Sequence, residues 1–222
     1  MNRQPFGEDE WYHCFTRGVD KRRTFQNTSD YRRFMQILYL ANSAESVHRS
    51  NLGKSHAAIF EKERGKPLVS IASYCIMPNH FHLILQEVNE GGVARFMQKV
   101  GTAYAMYFNI KYERIGNLFV KPFRSRHIDS EEYLRYVIQY VHLNAAELFE
   151  SDWKSGQIGN IKNLERRIKE YEYTSAGDYY SKKVRPERSI LSSEAMELVL
   201  EDFPPLRSIM DDAAEYYRTL TL

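Results

Sequence analysis

Two β-rich runs near the middle of the chain, LVSIASYCIM (68–77) and HFHLILQEV (80–88), are separated only by Pro78-Asn79. A two-residue turn signal between two such runs predicts an antiparallel hairpin, and the rest of the fold must be built around it. Upstream, EWYHCFTR (10–17) alternates and is rich in aromatics, so it predicts a further strand. The cluster Asn27-Thr28-Ser29-Asp30 caps a helix in which Tyr31, Phe34, Ile37, Leu38 and Ala41 follow helical spacing. Residues 46–67 are polar and mixed, with Gly53, Gly65 and Pro67, and read as a loop or a ragged helix end.

Downstream, Gly91-Gly92 precede the helical stretch VARFMQKVGTAYAMYFNIKY, with a weak point expected at Gly101 and a close at Gly116. The run LFVKPFRSRHI (118–128) reads as a strand, with Pro122 arguing for an edge or a bulge. Asp129 or Ser130 caps a last long helix, EEYLRYVIQYVHLNAAELF, whose Glu131 and Glu132 suit the positive end of its dipole. The order is β-α-β-β-α-β-α. Its first six elements match a ferredoxin-like split βαβ arrangement: an α+β fold with an antiparallel sheet and helices on one face. From about residue 150 the chain is less hydrophobic and more charged, with helices expected at 162–171, 192–202 and 205–219. The expected organisation is therefore a domain over 1–149 and a helical C-terminal extension, 150–222, packed on it.

Composition sets bounds. At 222 residues, 43% of them hydrophobic, the chain can bury a core without covalent staples. MNRQPFGEDEW has no apolar signal region, and no apolar run approaches membrane-spanning length. Cys14 and Cys75 share no metal-type spacing and read as buried thiols in a reducing compartment, so a cytoplasmic protein is expected. The net charge of +2 does not announce a nucleic-acid partner. Its distribution does more. Between 95 and 126 stand Arg95, Lys99, Lys111, Arg114, Lys121, Arg124 and Arg126 against Glu113 alone, interleaved with Tyr104, Tyr107, Phe108, Tyr112, Phe119 and Phe123. Such a mixture suits unpaired or hairpin nucleic acid, and equally a solvated basic face.

His80 and His82 flank Phe81 in the second strand of the hairpin. Residues two apart on a strand share a face, with Cα atoms about 7 Å apart. Two neighbouring imidazoles can begin a metal site, or sit exposed or bonded to backbone carbonyls. On the last helix Tyr140 and Asn144 are four residues apart and share a face. Asn144 can offer an amide oxygen to a hard cation, and Tyr140 stands one turn away. A core aromatic on an amphipathic helix has the same spacing.

Taken together, YCIMPNHFHLIL, GNLFVKPFRSRHI and YLRYVIQYVHLNAA resemble the single-tyrosine HUH transposases, especially the REP-associated, IS200-like branch. The resemblance runs from about Tyr12 to Ala146, and HUH denotes the His-hydrophobe-His seen here as His80-Phe81-His82. It implies a ferredoxin-like fold and a Mg²⁺ or Mn²⁺ site. It further implies a tyrosine that cuts single-stranded, hairpin-bearing DNA, leaving a 5′-phosphotyrosine and a free 3′-OH. By that resemblance His80, His82 and Asn144 are the metal ligands and Tyr140 the nucleophile, while His142, on another helical face, is structural. Arg17, Lys99, Lys121, Arg124 and Arg126 are the candidate DNA contacts. The chain departs from the family pattern at Ala145, where Pro is common, and at Lys121-Pro122, where Gly-Arg is usual.

The expected function is thus a metal-dependent DNA strand transferase, acting as a monomer or a homodimer. The alternative is a domesticated hairpin-binding protein that no longer cuts. A cupin-like metalloenzyme would need further ligands on later strands, where this chain is helical.

Overall fold

The structure, a computed structural model, describes residues 5–45, 55–181 and 184–220. Residues 46–54 of the stretch read as loop or helix end lie outside the described residues. In chain order the elements are β1 (Trp11–Arg17), α1 (Thr28–Ala41), β2 (Val69–Met77), β3 (His80–Glu87), α2 (Gly92–Lys111), β4 (Arg124–Ile128) and α3 (Glu131–Leu143). The strands form one antiparallel sheet in the order β2-β3-β1-β4. This is the ferredoxin-like order, and the fold is α+β.

Local chemistry explains the element ends. Asn27 caps α1 through the Asp30 amide, and Ser130 caps α3 through the Tyr133 amide. The N-terminus of α2 is held from the sheet: the buried Glu87 carboxylate accepts from Gly91 N at 2.5 Å and Val93 N at 2.7 Å. A Cβ on Gly92 would lie 2.2 Å from the Leu68 carbonyl oxygen, so only glycine allows this approach. Helix α2 runs unbroken through Gly101, because Met97, Val100 and Tyr104 anchor it on both sides. The last strand starts at Arg124 rather than 118, since Pro122 has no N–H to give the ladder. Phe119 makes only an isolated bridge with Gly18. Helix α3 ends at Leu143, earlier than expected, and Asn144–Leu148 continue as a 3-10 turn.

The sheet separates two cores. On one face α1 and α2 bury Phe34, Leu38, Phe81, Leu83, Phe96 and Tyr104, with the Phe34 and Phe81 rings 4.7 Å apart. The helices expected on one face are these two. The opposite face is covered by α3, whose Leu134, Val137, Ile138 and Val141 pack on Cys75, Met77 and Ile84. Both cysteines are buried and neither is in a disulfide, as expected.

The tail contains α4 (Ile161–Glu170), α5 (Ala176–Tyr180), α6 (Ser193–Leu200) and α7 (Leu206–Leu220). It is tied along the outer edge of β2: Ile76 N donates to Tyr173 O, Ser175 N to Tyr74 O and Ser192 N to Ile71 O, each at 2.9 Å. An otherwise open strand edge is thereby closed. Trp153, in a 3-10 turn, and Ile209 and Met210 of α7 form a third cluster with Leu143 of α3. No described helix is long and apolar enough to cross a membrane.

Candidate active site

Strand register decides what shares a face with the two histidines. His80 is paired with Arg17 and Met77, and His82 with Phe15 and Cys75. Phe15 in turn faces Arg124, and His13 faces Arg126. Directly opposed residues project to the same side of a sheet. One face therefore carries His13, His80, His82, Arg17, Arg124 and Arg126, and this is the face over which α3 lies.

The imidazoles are oriented by defined partners. Asn79 Nδ2 donates to Lys21 O at 3.2 Å, so its Oδ1 faces His80 Nδ1, 2.7 Å away. An amide oxygen only accepts, so His80 carries its proton on Nδ1 and leaves Nε2 with a bare lone pair. His82 Nδ1 lies 2.8 Å from His13 Nε2 in a buried contact. With His82 as donor, its Nε2 is bare as well. Burial holds all three rings in the neutral form. It pushes His13 down to about 4, helped by the Arg126 charge. It lowers His82 far below the usual range, with His13, His80 and Lys154 adding to the effect. For His80 burial again leads, opposed by the Glu147 charge and reinforced by Lys154 and Arg17. Two neutral imidazoles with free Nε2 atoms and fixed outer partners are what a metal-binding pair requires.

Tyr140 stands above them. Its ring centre is 5.9 Å from that of His13 and 6.0 Å from that of His82, edge-on to both, and the residue is 43% exposed. Asn144 is buried one turn later. Its Nδ2 donates to Tyr140 O at 2.8 Å, which turns Oδ1 away from the helix end. Among the described residues no group of three or more His, Cys, Asp or Glu side chains could hold a metal ion. A cation here would depend on His80, His82 and the amide oxygen of Asn144. That mixed set suits a divalent cation binding imidazole and oxygen together.

The other tyrosines separate cleanly. Tyr104 and Tyr107 on α2 and Tyr112 at its C-terminal end lie across the sheet, with their hydroxyls bonded to Thr24 O or to the Asp30 carboxylate. Tyr136 is on α3, exposed, one turn before Tyr140. His142 points away from the site, as expected. It bonds Ser175 Oγ at 2.9 Å and Ser73 Oγ at 3.2 Å, and burial lowers it to about 3.

The basic candidates divide in the same way. Arg17, Arg124 and Arg126 lie on the histidine face, exposed, and Lys121 is exposed just before β4. Lys99 does not join them. It belongs to α2, on the far side of the sheet, where its ammonium binds Ser43 O at 2.6 Å and Glu45 O at 3.2 Å. It anchors the end of α1.

Three residues were not legible in the sequence. His13 lies two positions from Phe15 on β1, and strand alternation already gave its parity, but nothing local placed β1 beside β3. Glu147 and Lys154 form a 2.6 Å ion pair beside the site, the lysine contributed by the chain beyond 150. Lys154 is raised chiefly by its bond to Glu147, against burial, with Tyr217 and Tyr140 adding to the rise.

Comparison with known proteins gives the family and the fold. The sequence model described as "Transposase IS200 like" matches residues 12–144, which runs from β1 to Asn144. Among solved structures the chain is similar to one described as a REP-associated tyrosine transposase bound to a REP hairpin. The similarity has a TM-score of 0.50 at 10% identity and covers 84% of this chain and 88% of the other. A comparison with curated proteins finds no match.

Proposed function

The chain belongs to the IS200-like transposase family, an enzyme family of transposase-type DNA processing, and on that premise we propose that Tyr140 is the nucleophile of a DNA strand transferase. The substrate is single-stranded DNA bearing a hairpin, consistent with the hairpin held by the solved relative. One observation carries the reading: an exposed tyrosine stands edge-on over two neutral imidazoles, with Asn144 one turn away and arginines around it.

The chemistry follows from the side chains. Arg17, Arg124 and Arg126, with Lys121, attract the phosphates and hold the strand across the sheet. The phenolic oxygen of Tyr140 attacks phosphorus in line with the 3′-oxygen. The new O–P bond forms as the phenolic proton is given up, and the P–O3′ bond breaks as the departing oxygen takes up a proton. The products are a 5′-phosphotyrosine and a free 3′-OH. A phenol is a poor nucleophile at neutral pH but a good leaving group, so the covalent link is reversible and the strand can be passed on. Mg²⁺ or Mn²⁺ bound by His80, His82 and Asn144 would supply charge withdrawal at the phosphoryl oxygens. His13 fixes His82 for that role, and Lys154 adds positive charge near the phenol oxygen.

Tyr140→Phe tests the proposal. The variant should bind a hairpin oligonucleotide as the wild type does, yet form no covalent protein–DNA adduct on a denaturing gel. Tyr107→Phe and Tyr112→Phe, across the sheet, should leave adduct formation intact. An adduct formed by Tyr140→Phe would remove the nucleophile assignment, and no adduct from the wild type would favour a hairpin-binding protein that does not cut.

A further inference from the structure

Beside Tyr140, between α3 and α7, the protein holds a half-open cavity of about 550 Å³. That lies within the range of pockets that take small organic groups, roughly 300–1,000 Å³. Its aromatic walls are Tyr136 from α3 and Tyr216 from α7, and buried Trp153 also lines it. Tyr136 is 63% exposed and Tyr216 60%, a high value for rings that usually bury most of their surface. Besides the phenols its polar lining is Gln139, Asn144, the ion-paired Glu147 and Lys154, and Asp212, a carboxylate with no ion pair among the described residues.

We infer that this cavity receives an unpaired nucleobase of the strand being cut, the one next to the phosphate at Tyr140. The inference rests on Tyr140 as the nucleophile, and Tyr140 and Asn144 line both the cavity and the catalytic face. The charges divide the strand between the two. The sheet face offers arginines for the backbone, whereas in the cavity Lys154 is paired with Glu147 and Asp212 is left over, so the lining is net negative and unfavourable for phosphate. A base is neutral and flat, and every base presents a face that stacks on tyrosine. Its edge meets Gln139, which can donate and accept, and Asp212, which only accepts. An acceptor-only carboxylate accepts from a base N–H: the exocyclic amino groups of adenine, cytosine and guanine, or the ring N–H of guanine and thymine. The pocket needs α7, so the C-terminal segment contributes to choosing where the strand is cut.

The test uses the full chain and a hairpin oligonucleotide with a single-stranded tail, carrying 2-aminopurine at each tail position in turn. In the wild type one or two adjacent positions should show quenched fluorescence, within one nucleotide of the cut read from the covalent adduct. Tyr136→Ala/Tyr216→Ala should lose the quenching and bind that tail about tenfold more weakly. Tyr216→Phe should keep both. Because both tyrosines are exposed, the alanine variants should keep the wild-type melting temperature. Absence of any quenched position, or quenching untouched by the double alanine variant, overturns the pocket assignment while leaving adduct formation by Tyr140 standing. Quenching that depends on the two tyrosines without an adduct would support the pocket and overturn the nucleophile instead.

Discussion

The two faces of the sheet use polar groups in opposite ways. On the α1/α2 face the buried Asp30 carboxylate is saturated: Lys111, Tyr107, Tyr112 and Gln26 N all bind it, at 2.6–3.0 Å. Burial alone would push its carboxyl up, but Lys111 and the hydrogen bonds hold it below the usual range. Around it lies a dense aromatic core. On the α3 face His13 and His82 are buried, His80 is half-buried and all three are oriented, yet His80 Nε2 and His82 Nε2 keep no protein partner among the described residues. Saturated polar groups fix structure; oriented but unsaturated ones are poised to bind something else. The difference lies between adjacent residues. Phe81 belongs wholly to the first face and His82 to the second, although one peptide bond joins them.

The sharpest way to break this comparison is to mutate both sides of that bond. His80→Ala and His82→Ala should each lower strand cleavage by more than about a hundredfold, since even outer partners of metal ligands cost about 10–100-fold. The urea melt of His80→Ala should stay close to wild type, and His82→Ala should lose only about 1–3 kcal/mol, for the His13 nitrogen it leaves unpaired. Phe81→Ala should do the reverse, losing about 3–5 kcal/mol of stability through the cavity it leaves while the folded fraction still cuts. If His82→Ala lost as much stability as Phe81→Ala, the second face would be core like the first.

Charge gives a smaller effect. Arg124→Ala/Arg126→Ala should make the salt dependence of single-strand binding shallower, by about 0.7 in the log–log slope for each phosphate no longer neutralised. Lys99→Ala, across the sheet, should leave the slope unchanged and cost some stability at the end of α1. The same loss of slope in both variants would mean that DNA lies on both faces.

The last effect is silent at neutral pH. His142 titrates at about 3 in the folded chain against about 6.5 when unfolded. Between those values the unfolded state binds the extra proton, so stability rises with pH across the window and falls as acid is added. His142→Gln should flatten the stability–pH curve between pH 4 and 6 by about one proton, or about 1.4 kcal/mol per pH unit. An unchanged slope would show that the ring charges in place.

Much of this was legible in the chain itself. Alternation and helical spacing gave every strand of the sheet and all three helices of residues 1–149, because those periods reflect which side chains must be buried together. They also put His80 and His82 on one face, and Tyr140 one turn from Asn144. Where ends were missed, at Phe119 and after Leu143, a few local bonds decided the matter. At one end Pro122 gives the ladder no N–H, and at the other the Asn144 amide binds the Tyr140 carbonyl.

What the sequence determined by itself was therefore the local arrangement: element types, their order, and the parity of each residue within its own strand or helix. Tertiary structure alone decided which parities meet. His13 became the partner of His82 only through the β1–β3 register, and Lys99 left the basic set only because α2 lies behind the sheet. Lys154 and Tyr216 reached Tyr140 from far along the chain, through packing of the 3-10 turn and α7 against α3. The physical reason is range. Periodicity records burial over a few residues, whereas a site is assembled by contacts between segments a hundred residues apart, and no local pattern carries their register.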